Sequence, residues 1–319
     1  MESIAPKKQT RPVLFFLAIV VAAAAGFNLY TGGKFLTSSN IAVLLSHAVI
    51  PSFVAWGLAF VFACDFTDMS LGAVIILAAN AAGNCGSTFG YPGVVLGGVG
   101  VGILLITLNF FIYTTTRIPS WVAGIGMAML YEAAGVFYSN SRAVRGLSVV
   151  ELSSELRQLA KYPLIYVIFA MGFVLAYLLY NRTQVGLNIR ALGSGLDVAR
   201  SMGIPVRKTL IQVGIVTGLF VGCAAFLTES YNARISAQTG LTSLANIFQP
   251  MATLMLARVL QSRINLIVGI PICALCVYSI FNMLTILGVP SGTWQEAVLG
   301  AIVILFGVFA QRGEKGAVK

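Results

Sequence analysis

Catalysis needs a nucleophile, a base or a metal-ligand set within reach of one another, and this sequence offers few such groups. Its single histidine, His47, stands in an apolar context, which leaves no imidazole elsewhere for a His-based triad or an H-E-x-x-H zinc site. Cys273 and Cys276 have C-x-x-C spacing, but they sit inside an apolar run with no second pair or histidine nearby, so they read as small core residues. With Cys64, Cys85 and Cys223 they make five cysteines, four within or at the ends of apolar runs, which argues against a disulfide framework. No G-x-x-x-x-G-K-[ST] phosphate loop is present; Gly93/Gly97 and Gly98/Gly102 instead carry the G-x-x-x-G spacing of close helix packing, within one subunit or between two. The reading is a chain with no catalytic, cofactor-binding or metal-binding residues.

Carboxylates in apolar surroundings remain. Glu132 lies inside an apolar run, where a charge costs about 2.5–3.5 kcal/mol. It requires a proton, a polar path or a place near the outer interface, and all three readings stand. Asp65 and Asp68 fall at a break between apolar runs, where a polar capping turn is preferred to a proton or sodium relay.

The elements that must position these groups follow from composition. Of 319 residues, 58% are hydrophobic and 9% charged, with mean hydropathy +0.91, far from the usage of soluble domains. The apolar runs are long and lack the two-residue alternation of barrel strands, so the fold class is all-α, a polytopic integral membrane protein. About ten candidate spans are expected, at residues 13–31, 41–63, 68–84, 92–114, 120–138, 163–180, 209–228, 243–257, 264–286 and 294–311, the third and eighth the weakest. The eighth is short and carries Asn246, Gln249 and Pro250, so a broken or tilted segment is expected there. The N-terminal run is read as an uncleaved first span rather than a signal peptide.

Charge placement orients the chain. With both termini cytoplasmic, Lys7, Lys8, Arg11, Arg117, Arg182, Arg190, Arg200, Arg207, Lys208, Arg258, Arg263, Arg312, Lys315 and Lys319 lie inside, 14 of the 20 basic residues, as the positive-inside rule asks. Lys34, Arg142, Arg145, Arg157, Lys161 and Arg234 lie outside. Residues 1–12 and 312–319 are cytoplasmic tails around a single membrane domain, residues 13–311. The net charge of +10 reflects topology, and no nucleic-acid partner is expected.

One cytoplasmic loop, residues 182–208, is polar, basic and punctuated by glycine. Ser194 is expected to cap a short helix, with Asp197 in its first turn and Gly203 closing it in the left-handed conformation. Leu196, Ala199, Met202 and Val198 give that helix an apolar side. So short a helix is unstable alone in water; a partner groove, with its acids facing Arg190, Arg200, Arg207 and Lys208, would supply the packing. An ordinary loop lying at the headgroups is the alternative. Outside, residues 139–162 include Leu152, Leu156 and Leu159 at helical spacing, so a surface helix is expected.

The loop carries a resemblance. Thr183-x-x-Gly186-x-x-Ile189-x-Ala191-x-Gly193, followed by Ala199-x-x-x-Gly203-Ile204, is similar to the cytoplasmic loop of ribose-type (carbohydrate uptake) bacterial ABC transporter permeases. Asp68-Met69-Ser70-Leu71-Gly72 resembles the family's I-D-L-S-V-G element, Arg117-Ile118-Pro119-Ser120 its R-I-P-x-F-I segment, and the Gly146-Leu147 turn also fits. The match covers most of residues 36–311. Two departures stand out: Cys64-Asp65-Phe66-Thr67 replaces the usual glycines, and residues 254–263 replace a glycine-rich turn.

The resemblance implies a multi-pass permease of the bacterial cytoplasmic (inner) membrane, without enzymatic activity of its own. Its implied partners are a cytoplasmic ABC ATPase that uses ATP and Mg, a second permease copy or paralogue, an extracytoplasmic solute-binding protein and membrane lipid. It places Arg190, Ser194, Leu196, Asp197, Ala199, Arg200, Met202 and Gly203 at the ATPase contact. Asn80, Asn109, Glu132, Asn246, Gln249 and Asn282 are candidates for the solute path, and each could equally hydrogen-bond to a neighbouring helix. The solute is expected to be small and polar, a sugar first, with a nucleoside or branched-chain amino acid as alternatives; an ion-driven transporter is the rival class.

Overall fold

The computed structural model describes residues 24–116, 118–144, 149–261, 263–289 and 292–313. Most of the expected first span, nearly all of both tails, Arg117, Arg145 and the Gly146-Leu147 turn lie outside the described residues. The helices are α1 Ser38–Ala63, α2 Leu71–Thr116, α3 Ser120–Ala143, α4 Leu164–Arg182, α5 Gln184–Leu192, α6 Leu196–Ser201, α7 Val206–Asn232, α8 Ala245–Leu260, α9 Leu266–Ile286 and α10 Thr293–Gly313. No strand occurs among the described residues. Among the described residues six helices, α1, α2, α3, α4, α7 and α9, are long and apolar enough to cross a membrane.

At 46 residues, α2 is about twice the length a bilayer core requires, and the chain folds back within it. Gly90 takes φ 67° and ψ −147°, a conformation open to glycine and strained for other residues. The arms run antiparallel: a Cβ added at Gly97 would lie 2.9 Å from both Ala81 O and Cys85 Cβ. The expected third and fourth spans are these two arms.

Helices in lipid gain little from hydrophobic association and rely on close packing. The second arm of α2 meets α7 along a seam of glycines from both. A Cβ at Gly102 would stand 2.7 Å from Gly222 Cα, one at Gly218 2.5 Å from Ile103 Cα, and one at Gly222 2.6 Å from Val99 Cα. Gly98 and Gly102 thus pack inside one subunit. Aromatic rings fasten α1 and α4 to α7: Trp56 stacks on Phe169 at 5.4 Å, Phe60 on Phe220 at 5.9 Å, and Phe53 meets Trp56 edge-on at 5.2 Å. The opposite faces turn apolar side chains outward, with Leu130, Phe137 and Met171 all more than half exposed, as lipid-facing surfaces do.

The chain divides into two compact units, Val49–Met251 and a second made of the flanking segments up to Ala48 and from Ala252. The seam and the aromatic cluster belong to the first. In the second, Asn40 and Asn282 exchange amide hydrogen bonds of 3.0 and 2.9 Å, and His47 Nδ1 lies 2.6 Å from the Tyr278 hydroxyl. Cys273 is buried there in α9, and Cys276, one turn on, is a free thiol.

Three expectations are corrected. The span expected at 209–228 runs on to Asn232, which draws Glu229 into the helix. The outer surface helix shrinks to a 3-10 turn over Leu156–Ala160; Leu152, Leu156 and Leu159 are buried in the protein, and Leu152 N–H donates to Ala233 O at 2.9 Å. The leucine spacing marked a buried face, but backbone pairing to another loop displaced the regular helix. Finally, Ser194 does not cap α6: the N-cap is Gly195, at φ 116°, without a side-chain bond.

Candidate coupling site and buried polar clusters

The loop 182–208 holds two helices where one was expected. Thr183 caps α5 by accepting from Gly186 N–H at 3.3 Å. Gly186, Ile189 and Leu192 are its buried face, so the glycine-spaced motif of this loop writes the packing side of α5. Arg190 folds back, its guanidinium 5.2 Å from the Tyr180 ring centre and its Nε–H donating to Gly186 O at 3.3 Å. This contact uses the arginine inside the chain.

Helix α6 follows and is held at both ends by positive-φ glycines, Gly195 and Gly203 (φ 78°). Gly203 N–H donates to Arg200 O and Ile204 N–H to Ala199 O, both at 3.0 Å, which satisfies the last carbonyls. Ala199 is fully buried and fixes the helix to the body, whereas Val198 and Met202 are 49% and 67% exposed. Leu196 is half-buried. Asp197, in the first turn, pairs with Arg200 at 2.7 Å in an exposed position. The result is a short helix, bounded by two positive-φ glycines, presenting apolar side chains to its surroundings.

The candidate path residues do not converge. Asn109 is buried, and its Nδ2 donates to Asp68 Oδ2 at 3.0 Å and Ser70 Oγ at 2.5 Å. The Tyr131 hydroxyl lies 2.8 Å from Asn109 Oδ1, and Ser70 N–H donates to Asp68 Oδ1 at 2.8 Å. Asp68 is therefore the acceptor of a capping turn before α2. Asn80 is buried and donates to its own helix at Ile76 O, 2.9 Å away. Asn282 is held by Asn40. On α8, Asn246 is exposed and Gln249 half-buried.

Glu132 is buried, 3% exposed, and accepts from Leu241 N–H at 2.8 Å and Ser243 N–H at 2.9 Å. These amides begin the turn Thr242–Leu244 that leads into α8, where a helix start leaves N–H groups without intrahelical acceptors. The carboxylate caps that start from across the bundle, a role absent from the three readings of its sequence context. Helix α8 then continues unbroken through Leu254–Leu260, where the glycine-rich turn was missing, because Met255, Leu256 and Ala257 favour helix.

Glu229 escaped the sequence reading. It is fully buried in α7, neither carboxylate oxygen has a hydrogen-bond partner, and a Cβ on Gly83 would lie 2.8 Å from its Oε1. The signal was its register: it continues the buried face Gly218, Gly222, Phe226.

Loops gather in two sets within the larger unit. Cys64, Asp65, Phe66, Ile118–Trp121, Leu196, Arg200 and the start of α7 from Val206 to Lys208 border one cleft. At the other end Tyr91 OH donates to Glu155 O at 2.9 Å, beside the Leu152–Ala233 bond.

Comparison with known proteins adds the lineage. The chain is 24% identical over 305 residues to a fructose import permease of Rhizobium meliloti, covering 92% of this chain and 84% of that one. It is 26% identical over 234 residues to an autoinducer 2 import system permease of Enterobacter sp. (strain 638), with 73% and 67% covered. It is 22% identical over 356 residues to a xylose transport system permease of Haemophilus influenzae, with 92% and 94% covered. No solved structure matches it. Residues 40–307 match the family model described as branched-chain amino acid transport system / permease component, and the chain belongs to that family of transport permeases.

Proposed function

We propose that this chain is the membrane-spanning permease subunit of a binding-protein-dependent ABC importer in the bacterial inner membrane, and that its solute is a sugar. The observation that carries the coupling role is α6: a two-glycine bracket holds it while Val198 and Met202 face outward. A cytoplasmic ATPase groove would bury those side chains, and ATP with Mg would act there. The names of the fructose and xylose relatives favour a sugar over the amino acid of the family description. About ten spans with both termini cytoplasmic are supported by the two separate loop sets, each made of loops that the alternation puts on one side. The bound solute-binding protein would meet the set containing residues 149–162 and 233–242. Of the six path candidates, Asn246 and Gln249 are retained; Asn109, Glu132 and Asn282 bond to other elements, and Asn80 bonds to its own helix.

The test is V198D/M202D in the reconstituted transporter. Both side chains are exposed, so insertion and thermal stability should stay at wild-type values while co-purification of the ATPase and ATP-driven uptake fall at least tenfold. Uptake at the wild-type rate would refute the coupling role.

A further inference from the structure

The cleft beside α6 has a volume of about 1570 Å³ and is built from elements at one end of the larger unit. Arg200, Arg207 and Lys208 line it with one carboxylate, Asp65; Arg200 is already paired with Asp197 at 2.7 Å, which leaves Arg207 and Lys208 as the cations available to an anion. Its walls are the starts of α3 and α7, with Trp121, Ile211 and Ile215 among the lining residues. On α7 the order is informative: Lys208, Ile211 and Ile215 share one helical face, so the lining passes from cationic to apolar within about 10 Å along the axis. Trp121 and Ile215 are 57% and 43% exposed, which carries the apolar wall onto the lipid-facing surface of the bundle.

The geometry points to an anionic phospholipid as the occupant, its phosphate at Arg207 and Lys208 beside the Arg200–Asp197 pair and its acyl chains along Trp121, Ile211 and Ile215. This rests on reading that end as the cytoplasmic one, where anionic lipids attract basic residues. Charge complementarity calls for an anion, and the apolar lower wall calls for one that enters from the bilayer. A soluble acidic peptide would satisfy the cations and leave that wall in contact with lipid. Because Arg200 belongs to α6, the lipid would brace the coupling helix from the side opposite its outward face, making lipid composition a regulator of coupling.

Native mass spectrometry of the full chain, released from micelles containing phosphatidylglycerol or phosphatidylcholine, tests this without any ATPase present. The wild type should retain phosphatidylglycerol in preference to phosphatidylcholine. R207Q/K208Q should reduce that retention on the order of tenfold or more, K208R should restore most of what K208Q loses, and K34Q/K161Q, which removes equal charge elsewhere, should change nothing. Unchanged retention in R207Q/K208Q, or an equal loss in K34Q/K161Q, would overturn the site in favour of nonspecific annular lipid. Equal retention of the two lipids by the wild type would overturn it, and a separate co-purification in which R207Q/K208Q loses the ATPase would then assign these cations to a protein contact. Failure here leaves the V198D/M202D test of coupling untouched, and failure there leaves this binding measurement standing.

Discussion

Replacing Glu132 with alanine separates a structural clamp from a residue of the solute path. The wild-type carboxylate accepts from Leu241 N–H at 2.8 Å and Ser243 N–H at 2.9 Å while 3% exposed. E132A removes both acceptors and leaves two backbone donors without partners. Charge-assisted bonds contribute about 1.5–3 kcal/mol each and are not additive, so we take about 3 kcal/mol for the pair. Since 1.4 kcal/mol is tenfold, the local opening equilibrium of residues 234–246 should rise on the order of a hundredfold. Hydrogen exchange in nanodiscs reads this directly, because exchange from local openings follows their free energy. Amides in this segment should exchange about a hundredfold faster, those in the middle of α7 far less. E132Q keeps one acceptor and should give about a tenfold increase. Solute KM should be unaltered in both, with maximal uptake falling as the segment opens. Wild-type exchange in E132A together with a changed KM would refute the clamp and return Glu132 to the path.

The glycine seam predicts that G218V destabilises severely, because its Cβ would lie 2.5 Å from Ile103 Cα and 2.7 Å from Gly102 O, backbone atoms that cannot turn aside. Thermal unfolding in detergent should show loss of folded protein, while G100A, with no atom within 4 Å of its Cβ, should be neutral or stabilising by about 0.5–1 kcal/mol. For Asn40 and Asn282, each alanine substitution should cost about 1 kcal/mol and the double variant no more than either single; additive losses would contradict the reciprocal pair. N109A should reduce the yield of folded protein sharply, since it deprives the buried Asp68 of a donor 3.0 Å away; normal yield and stability would show that the other bonds of Asp68 suffice.

The helical class and the positions of the six long apolar helices were legible because about 20 apolar residues are needed to cross a bilayer, and Gly203 as the end of α6 was legible because a left-handed terminus favours glycine. Helix α5 was less so: its apolar positions Ile189 and Leu192 are few, and Gly186 contributes by having no side chain. The roles of Asn109, Asn282 and Glu132 were hidden because a polar residue in a span has the same one-dimensional signature whether it faces a path or another helix. Only long-range pairing, Glu132 with Ser243 or Asn40 with Asn282, distinguishes them, and one sequence carries no record of it. Glu229 was lost to a span boundary drawn one turn early.

The backbone-to-backbone seam between α2 and α7 has a mechanical consequence. Side chains can slide and re-pack, whereas two backbones in contact have no compliant layer between them, so α2 and α7 behave as one stiff lever. Alternating access in this subunit would then have to take its motion from segments without regular helix: residues 64–70 ahead of α2 and residues 233–241 after α7. Asp68 with Asn109 pins the first of these hinges and Glu132 the second, so Asp68 and Glu132 set how readily the lever turns.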